Sequence, residues 1–147
     1  MHSILKHSHS GFRWLVLAIL IAAVAGSYIS WKNKSDYSKK HKILHLATLI
    51  LVHLQLLIGL ALYFIGWGIK IDFAMMGDST FRFFTVEHSS LMILAITSIT
   101  IGYSKSKKLS DSALRFKMIF MTYSIGLMLI LVSIPWPFRS NLGAGWM

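Results

Sequence analysis

Apolar residues along this chain fall into four blocks of similar length, separated by short polar stretches. The first covers about 11–31 and reads "GFRWLVLAILIAAVAGSYISW"; the others cover about 43–67, 83–103 and 118–137. Each is close to the ~20 residues that an α-helix, rising ~1.5 Å per residue, needs to cross ~30 Å of hydrocarbon. One such block is compatible with a buried helix or a signal peptide. Four in succession predict an all-α protein, an integral membrane four-helix bundle forming a single domain over 1–147. The first block shows no small-residue cleavage site and ends in Trp31 and lysines, so it is expected to be retained. Short connections make consecutive helices antiparallel neighbours, which predicts up-down-up-down packing.

The polar stretches carry the charge. Lys32, Lys34, Lys39, Lys40 and Lys42 gather between the first two blocks, and Lys105, Lys107, Lys108, Arg115 and Lys117 between the last two. Those are ten of the 15 Lys and Arg residues; Lys6, Arg13, Lys70, Arg82 and Arg139 fall on the opposite face. The positive-inside rule puts both basic loops in the cytoplasm. Both termini and the "GIKIDFAMMGDSTFR" loop then face outward, which in a bacterial inner membrane is the periplasm. Trp14, Trp31, Trp67, Tyr103 and Trp136 sit where interfacial anchors are expected. Pro135 and Pro137 stop the fourth helix. Gly59, Gly102 and Gly126 are positions for close helix approach or for a flat ligand.

Composition agrees and narrows the chemistry. The chain is 55% hydrophobic and 14% charged, with a mean hydropathy of +0.63; that is too apolar for an ordinary soluble domain. The formal charge of +10 would suggest nucleic acid on a soluble protein. Here it marks loop topology, and no nucleic-acid partner is expected. The absence of cysteine excludes disulfides, thiolate metal sites, Fe–S clusters and covalently attached haem.

What remains is histidine. His2, His7 and His41 lie in polar segments, and His45 lies near the cytoplasmic end of the second block. His53 sits in "LILVHLQLLIGL" at mid-membrane depth, beside Gln55. Ionisable residues inside spanning helices are functional candidates by default. His88 lies in "FRFFTVEHSSLMILAI", following Glu87 and facing the same way as Leu91, Met92 and Ala95. His9 precedes the first block, and "HSGFRWLVLAI" from His9 parallels "HSSLMILAITS" from His88, a weak two-helix repeat.

Two imidazoles from separate membrane helices, without thiolates or an acidic cluster, suit the axial positions of one b-type haem. His53 with His88 is the first expected pair, since both lie within hydrocarbon; His9 with His88 is the second. Arg13 and Arg82, expected at the same outer level, are candidates to bind the propionates. A second haem would need His45, for which no partner is readable at its level. Glu87 either pairs with Arg82 across the interface or accepts a quinol proton.

Together "HSGFRWLVL", "LVHLQLLIGLALYF", "RFFTVEHSSLMILAI", "IGYSKSK" and "IPWPFR" resemble a family of small four-helix, cytochrome b-like membrane proteins of Bacteroidetes. The resemblance spans nearly the whole chain with its motifs in order. It implies a bacterial inner-membrane protein with a haem role, and a shared pattern of His9, Arg13, His53, Arg82, Glu87 and His88. The expected function is electron transfer rather than stand-alone catalysis: single electrons exchanged with a quinol or a periplasmic partner, with quinone as a further candidate ligand. Two other classes stay open. One is a haem-free accessory subunit of a larger respiratory or envelope complex. The other is a copper-handling protein using histidines with Met75, Met76 and Met92. Nothing readable as a nucleophile with its base, or as a carboxylate pair, suggests a hydrolase.

Overall fold

The computed structural model describes residues 2–66, 73–139 and 142. Among the described residues five α-helices occur: α1 (His2–Lys32), α2 (Lys39–Gly66), α3 (Ser79–Arg82), α4 (His88–Ser106) and α5 (Ser112–Ser133). A 3₁₀ turn, Phe73–Gly77, precedes α3, and a π turn, Phe83–Glu87, joins α3 to α4 as one rod. No strand occurs among the described residues. Four segments are long and apolar enough to span a membrane: Ser3–Lys32, Lys39–Ile65, Ser79–Ser106 and Ser112–Ser133. Trp67, expected as an interfacial anchor, and Lys70, expected on the outer face, lie outside the described residues.

The helices overrun the apolar blocks, because backbone hydrogen bonding need not stop where the hydrocarbon does. α1 begins at His2 rather than near residue 11, so His9 lies inside a helix rather than ahead of one. The third and fourth spans begin at aspartate caps. Asp78 Oδ1 accepts the Phe81 N–H at 2.7 Å, and Asp111 Oδ1 accepts the Leu114 N–H at 2.7 Å. Each satisfies a backbone donor that the first helical turn leaves orphaned. α1 ends in a Schellman turn with Lys34 at φ 52°. There the Ser35 N–H reaches the Ser30 carbonyl at 3.0 Å and the Lys34 N–H reaches that of Trp31 at 3.3 Å.

Side-chain partners show the helix directions. Ser27 meets His45 whereas His9 meets Gln55, so α1 and α2 run antiparallel. His88 meets Ser133 whereas Ser98 meets Thr122, so α4 and α5 do too. α1 also packs on α5, and α2 on α4, which closes a four-sided bundle. Leu20, Ala23, Val52, Ala95, Ile99, Ile119 and Tyr123 fill its centre. The α4–α5 seam is the tightest. A Cβ on Gly102 would overlap the Thr122 hydroxyl, and one on Gly126 would lie 2.6 Å from Ile99 Cγ1.

Outside and inside are inverted relative to a water-soluble protein. Between 11% and 33% of each apolar window is buried, so most of it faces outward. Leu15, Ile21, Ile50, Leu57, Ile93, Ile125 and Met128 are exposed, while Ser27, His45, Thr48, Ser106 and Ser133 are buried.

Candidate cofactor site between α1 and α4

At the end of the bundle that holds the start of α1, the helices bring two histidines face to edge. The His9 and His88 ring centroids are 6.2 Å apart, with the planes at 78°. His9 descends from α1 and His88 heads α4, so the contact crosses the bundle.

His88 is aimed by local backbone geometry. Its N–H bonds back to the Phe83 carbonyl, five residues earlier, as a π turn requires. Such turns concentrate at functional positions because they re-aim the side chains that follow. The same five-residue spacing joins Arg82 Nε to Glu87 Oε1 at 3.0 Å, with both side chains 47% exposed. Glu87 is therefore held by an interfacial ion pair, and Arg82 also reaches the Met76 carbonyl at 3.3 Å. Phe83 and Phe84 wall the His88 ring at 6.0 and 6.4 Å.

The ring itself is fixed by α5. His88 Nδ1 lies 2.8 Å from the Ser133 carbonyl. A carbonyl only accepts, so Nδ1 carries the proton, and in the neutral ring Nε2 holds a free lone pair. A metal-binding imidazole is usually held this way, with one nitrogen donating to a backbone carbonyl and the other left to ligate.

His9 is held differently. Gln55 of α2 donates from Nε2 to the His9 carbonyl at 2.9 Å. Gly59, one turn further along α2, faces the imidazole: a Cβ there would be 3.0 Å from His9 Cε1. His9 Nδ1 and Gln55 Oε1 are both buried without a hydrogen bond, an uncommon cost in an apolar core. Arg13 lies one turn below His9 on the same face of α1, and its guanidinium sits 5.1 Å from the Trp14 ring centre.

His53 is elsewhere. Its neighbour across the α2–α4 interface is Thr100, with Nε2 to Oγ1 at 3.5 Å. Thr100 lies roughly 18 Å along the helix axis from His88, at ~1.5 Å per residue. The structure thus brings together the second expected pair, His9 and His88, and not His53 with His88. His9, expected ahead of the first apolar block, lies within α1 and opposite His88.

The opposite end holds a network that the sequence did not disclose. His45 is fully buried, with Nε2 at 3.0 Å from Ser27 Oγ and Nδ1 at 2.9 Å from the Tyr37 hydroxyl. Tyr123 donates to its carbonyl at 3.0 Å. The Arg115 guanidinium lies 3.8 Å above the Tyr37 ring, a cation–π stack. Burial raises the pKa of the Tyr37 phenol, with Arg115 opposing. The folded state then keeps its proton where the unfolded chain loses it, so stability at this end falls above about pH 10. Both imidazole nitrogens of His45 are engaged by protein groups, which makes it a bolt between α1, α2 and the loop. His45→Leu strands the Ser27 and Tyr37 hydroxyls. It should lower stability by about 2–3 kcal/mol, read as an earlier thermal transition in detergent, and should leave the His9–His88 end unaltered.

Among the described residues no group of three or more His, Asp or Glu gathers as a metal site. No family model matches the chain, and no curated protein and no solved structure is significantly similar to it.

Proposed function

We propose that this chain is a multi-pass inner-membrane b-type cytochrome that binds one haem through His9 and His88 and carries single electrons. Both termini would face the periplasm and the lysine-rich loops the cytoplasm, as the positive-inside rule requires. The observation that carries the proposal is the pair itself: two imidazoles from different helices, one with its tautomer set for ligation by Ser133.

The residues present fit the group. The His9 and His88 rings, 6.2 Å apart on separate helices, would hold the group from two sides. A haem brings four nitrogen donors of its own, so two protein ligands suffice where a bare ion would need more. His9 Nδ1 and Gln55 Oε1 lack partners beside the pair, and the missing Cβ at Gly59 lets the His9 ring pack close against α2.

Haem, when bound, supplies a one-electron iron couple. The chain supplies the rest. His9 and His88 would hold the group, Ser133 keeps the proton on His88 Nδ1, and Phe83 and Phe84 wall one side of the His88 ring. Arg13 provides positive charge next to the pair for a propionate. Arg82, already bonded to Glu87, is the weaker propionate candidate. The resemblance to small cytochrome b-like proteins points in the same direction. The electron partner would be a quinol or a periplasmic protein, and assembly into a larger respiratory complex is compatible with the outward-facing apolar helices.

The test is a dithionite-reduced minus oxidised spectrum of detergent-purified protein from haem-replete cells. A sharp α-band of b type, with about one haem per chain by pyridine haemochrome, is expected. A flat spectrum from folded protein would overturn the proposal. Co-purifying large subunits would then favour a haem-free accessory role, and bound copper on metal analysis would favour metal handling.

A further inference from the structure

His53 poses a separate question, and its answer does not depend on haem at the other pair. Its Nδ1 lies 2.7 Å from the Leu49 carbonyl. That carbonyl can only accept, so Nδ1 is the protonated nitrogen and Nε2 of the neutral ring is an acceptor. Among the described residues the donor that reaches Nε2 is the Thr100 hydroxyl at 3.5 Å, the long limit of a hydrogen bond, and its single proton is directed at the Ile96 carbonyl 2.7 Å away. His53 Nε2 therefore presents a lone pair that lacks a short hydrogen bond.

The lone pair opens on a groove between α2 and α4. The groove has a volume of about 310 Å³ and is lined by His53, Leu56, Ile93, Ile96, Thr97, Thr100 and Ile101. It lies on an apolar flank, where Leu57, Ile93 and Ile101 are exposed. His53 is roughly 20 Å from either end of α2 at ~1.5 Å per residue. Phospholipid at that depth offers only acyl chain, and water is scarce. An amphiphile whose hydroxyl stays at the interface does not reach it. A closer donor has to arrive on a molecule whose polar group is itself soluble in hydrocarbon.

We propose that this groove binds the ring of a lipid-soluble hydroquinone, with one ring hydroxyl donating to His53 Nε2. The flat apolar ring packs against Leu56, Ile93 and Ile96, and an isoprenoid tail extends into lipid. Selectivity for redox state follows from hydrogen-bond roles. A hydroquinone carries donors, whereas the oxidised quinone carries acceptors only and would meet the lone pair of Nε2 with its own. The site therefore favours the reduced form.

The test uses full-length protein in nanodiscs, with ¹⁵N-labelled histidine, under anaerobic conditions. The probes are a short-tailed naphthohydroquinone, its quinone and its dimethyl ether. The hydroquinone should shift the His53 Nε2 resonance selectively and bind at least about tenfold more tightly than the quinone or the ether, the usual consequence of losing one hydrogen bond to a buried acceptor. His53→Leu should weaken hydroquinone binding by a similar factor. Thr97→Phe, which fills the groove and keeps the imidazole, should do the same if His53→Leu fails to fold. Equal binding of hydroquinone and ether would overturn the proposal. So would a His53 resonance that does not move, or wild-type affinity in Thr97→Phe. The measurement works equally on haem-free protein, so its failure and the failure of the cytochrome proposal are told apart.

Discussion

His88→Ala and His9→Ala should each abolish the low-spin b-type spectrum, with haem affinity falling by at least about 100-fold, while His53→Ala should keep it. Loss of the group that hydrogen-bonds a ligating imidazole typically costs about 10–100-fold in metal affinity, and losing the ligand costs more. His88→Ala also leaves the Ser133 carbonyl without the imidazole donor 2.8 Å away. His53 contacts Thr100, roughly 18 Å along the axis from His88, too far for both to hold one iron. The three variants therefore separate the two pairings that the sequence left open. Haem titration followed at the Soret band checks them. An unchanged low-spin spectrum in His9→Ala or His88→Ala would reject this pair, and a spectrum lost only in His53→Ala would move the haem to the α2–α4 groove.

Gly126→Leu should destabilise the bundle by about 3 kcal/mol, at the upper end for overpacking a close-packed core. The Cβ alone would lie 2.6 and 2.8 Å from two Ile99 carbons and 3.1 Å from the Ala95 carbonyl. Ile99 is fully buried and has little room to move, and the carbonyl belongs to the α4 backbone. Between membrane helices apolar surface adds little driving force, so close packing at small residues holds the seam together. Separating α4 from α5 there loses much of the third- and fourth-span contact. Unfolding of purified protein by graded denaturing detergent, followed by circular dichroism, measures the loss. The same substitution at Gly11, where a Cβ meets nothing within 4 Å, should cost far less. Equal stability of the two variants would mean that the α4–α5 seam is not the close contact described.

Much of the architecture was legible because it follows from local composition. Four blocks of apolar residues set the number of spans, and Asp78 and Asp111 stand where polar residues cap helices, though only their bonds to Phe81 and Leu114 showed that they do. Lysine placement alone suggested which loops share a side. His88 and His9 were readable as candidates because an imidazole beside an apolar run is costly without a partner. Their pairing was read only as the second choice, behind His53 with His88. It depends on how far α1 extends outward, on the π turn that re-aims His88, and on Gly59 facing His9 across the bundle, none of which leaves a periodic trace in the sequence. His45 was readable as a residue near the cytoplasmic end without a ligating partner, but its network was not: its partners Ser27, Tyr37 and Tyr123 are ordinary residues in three separate stretches. Spacing along a helix is a property of one segment and can be read from it. Register between helices is set by where side chains from several segments pack together, and only the tertiary structure decides that.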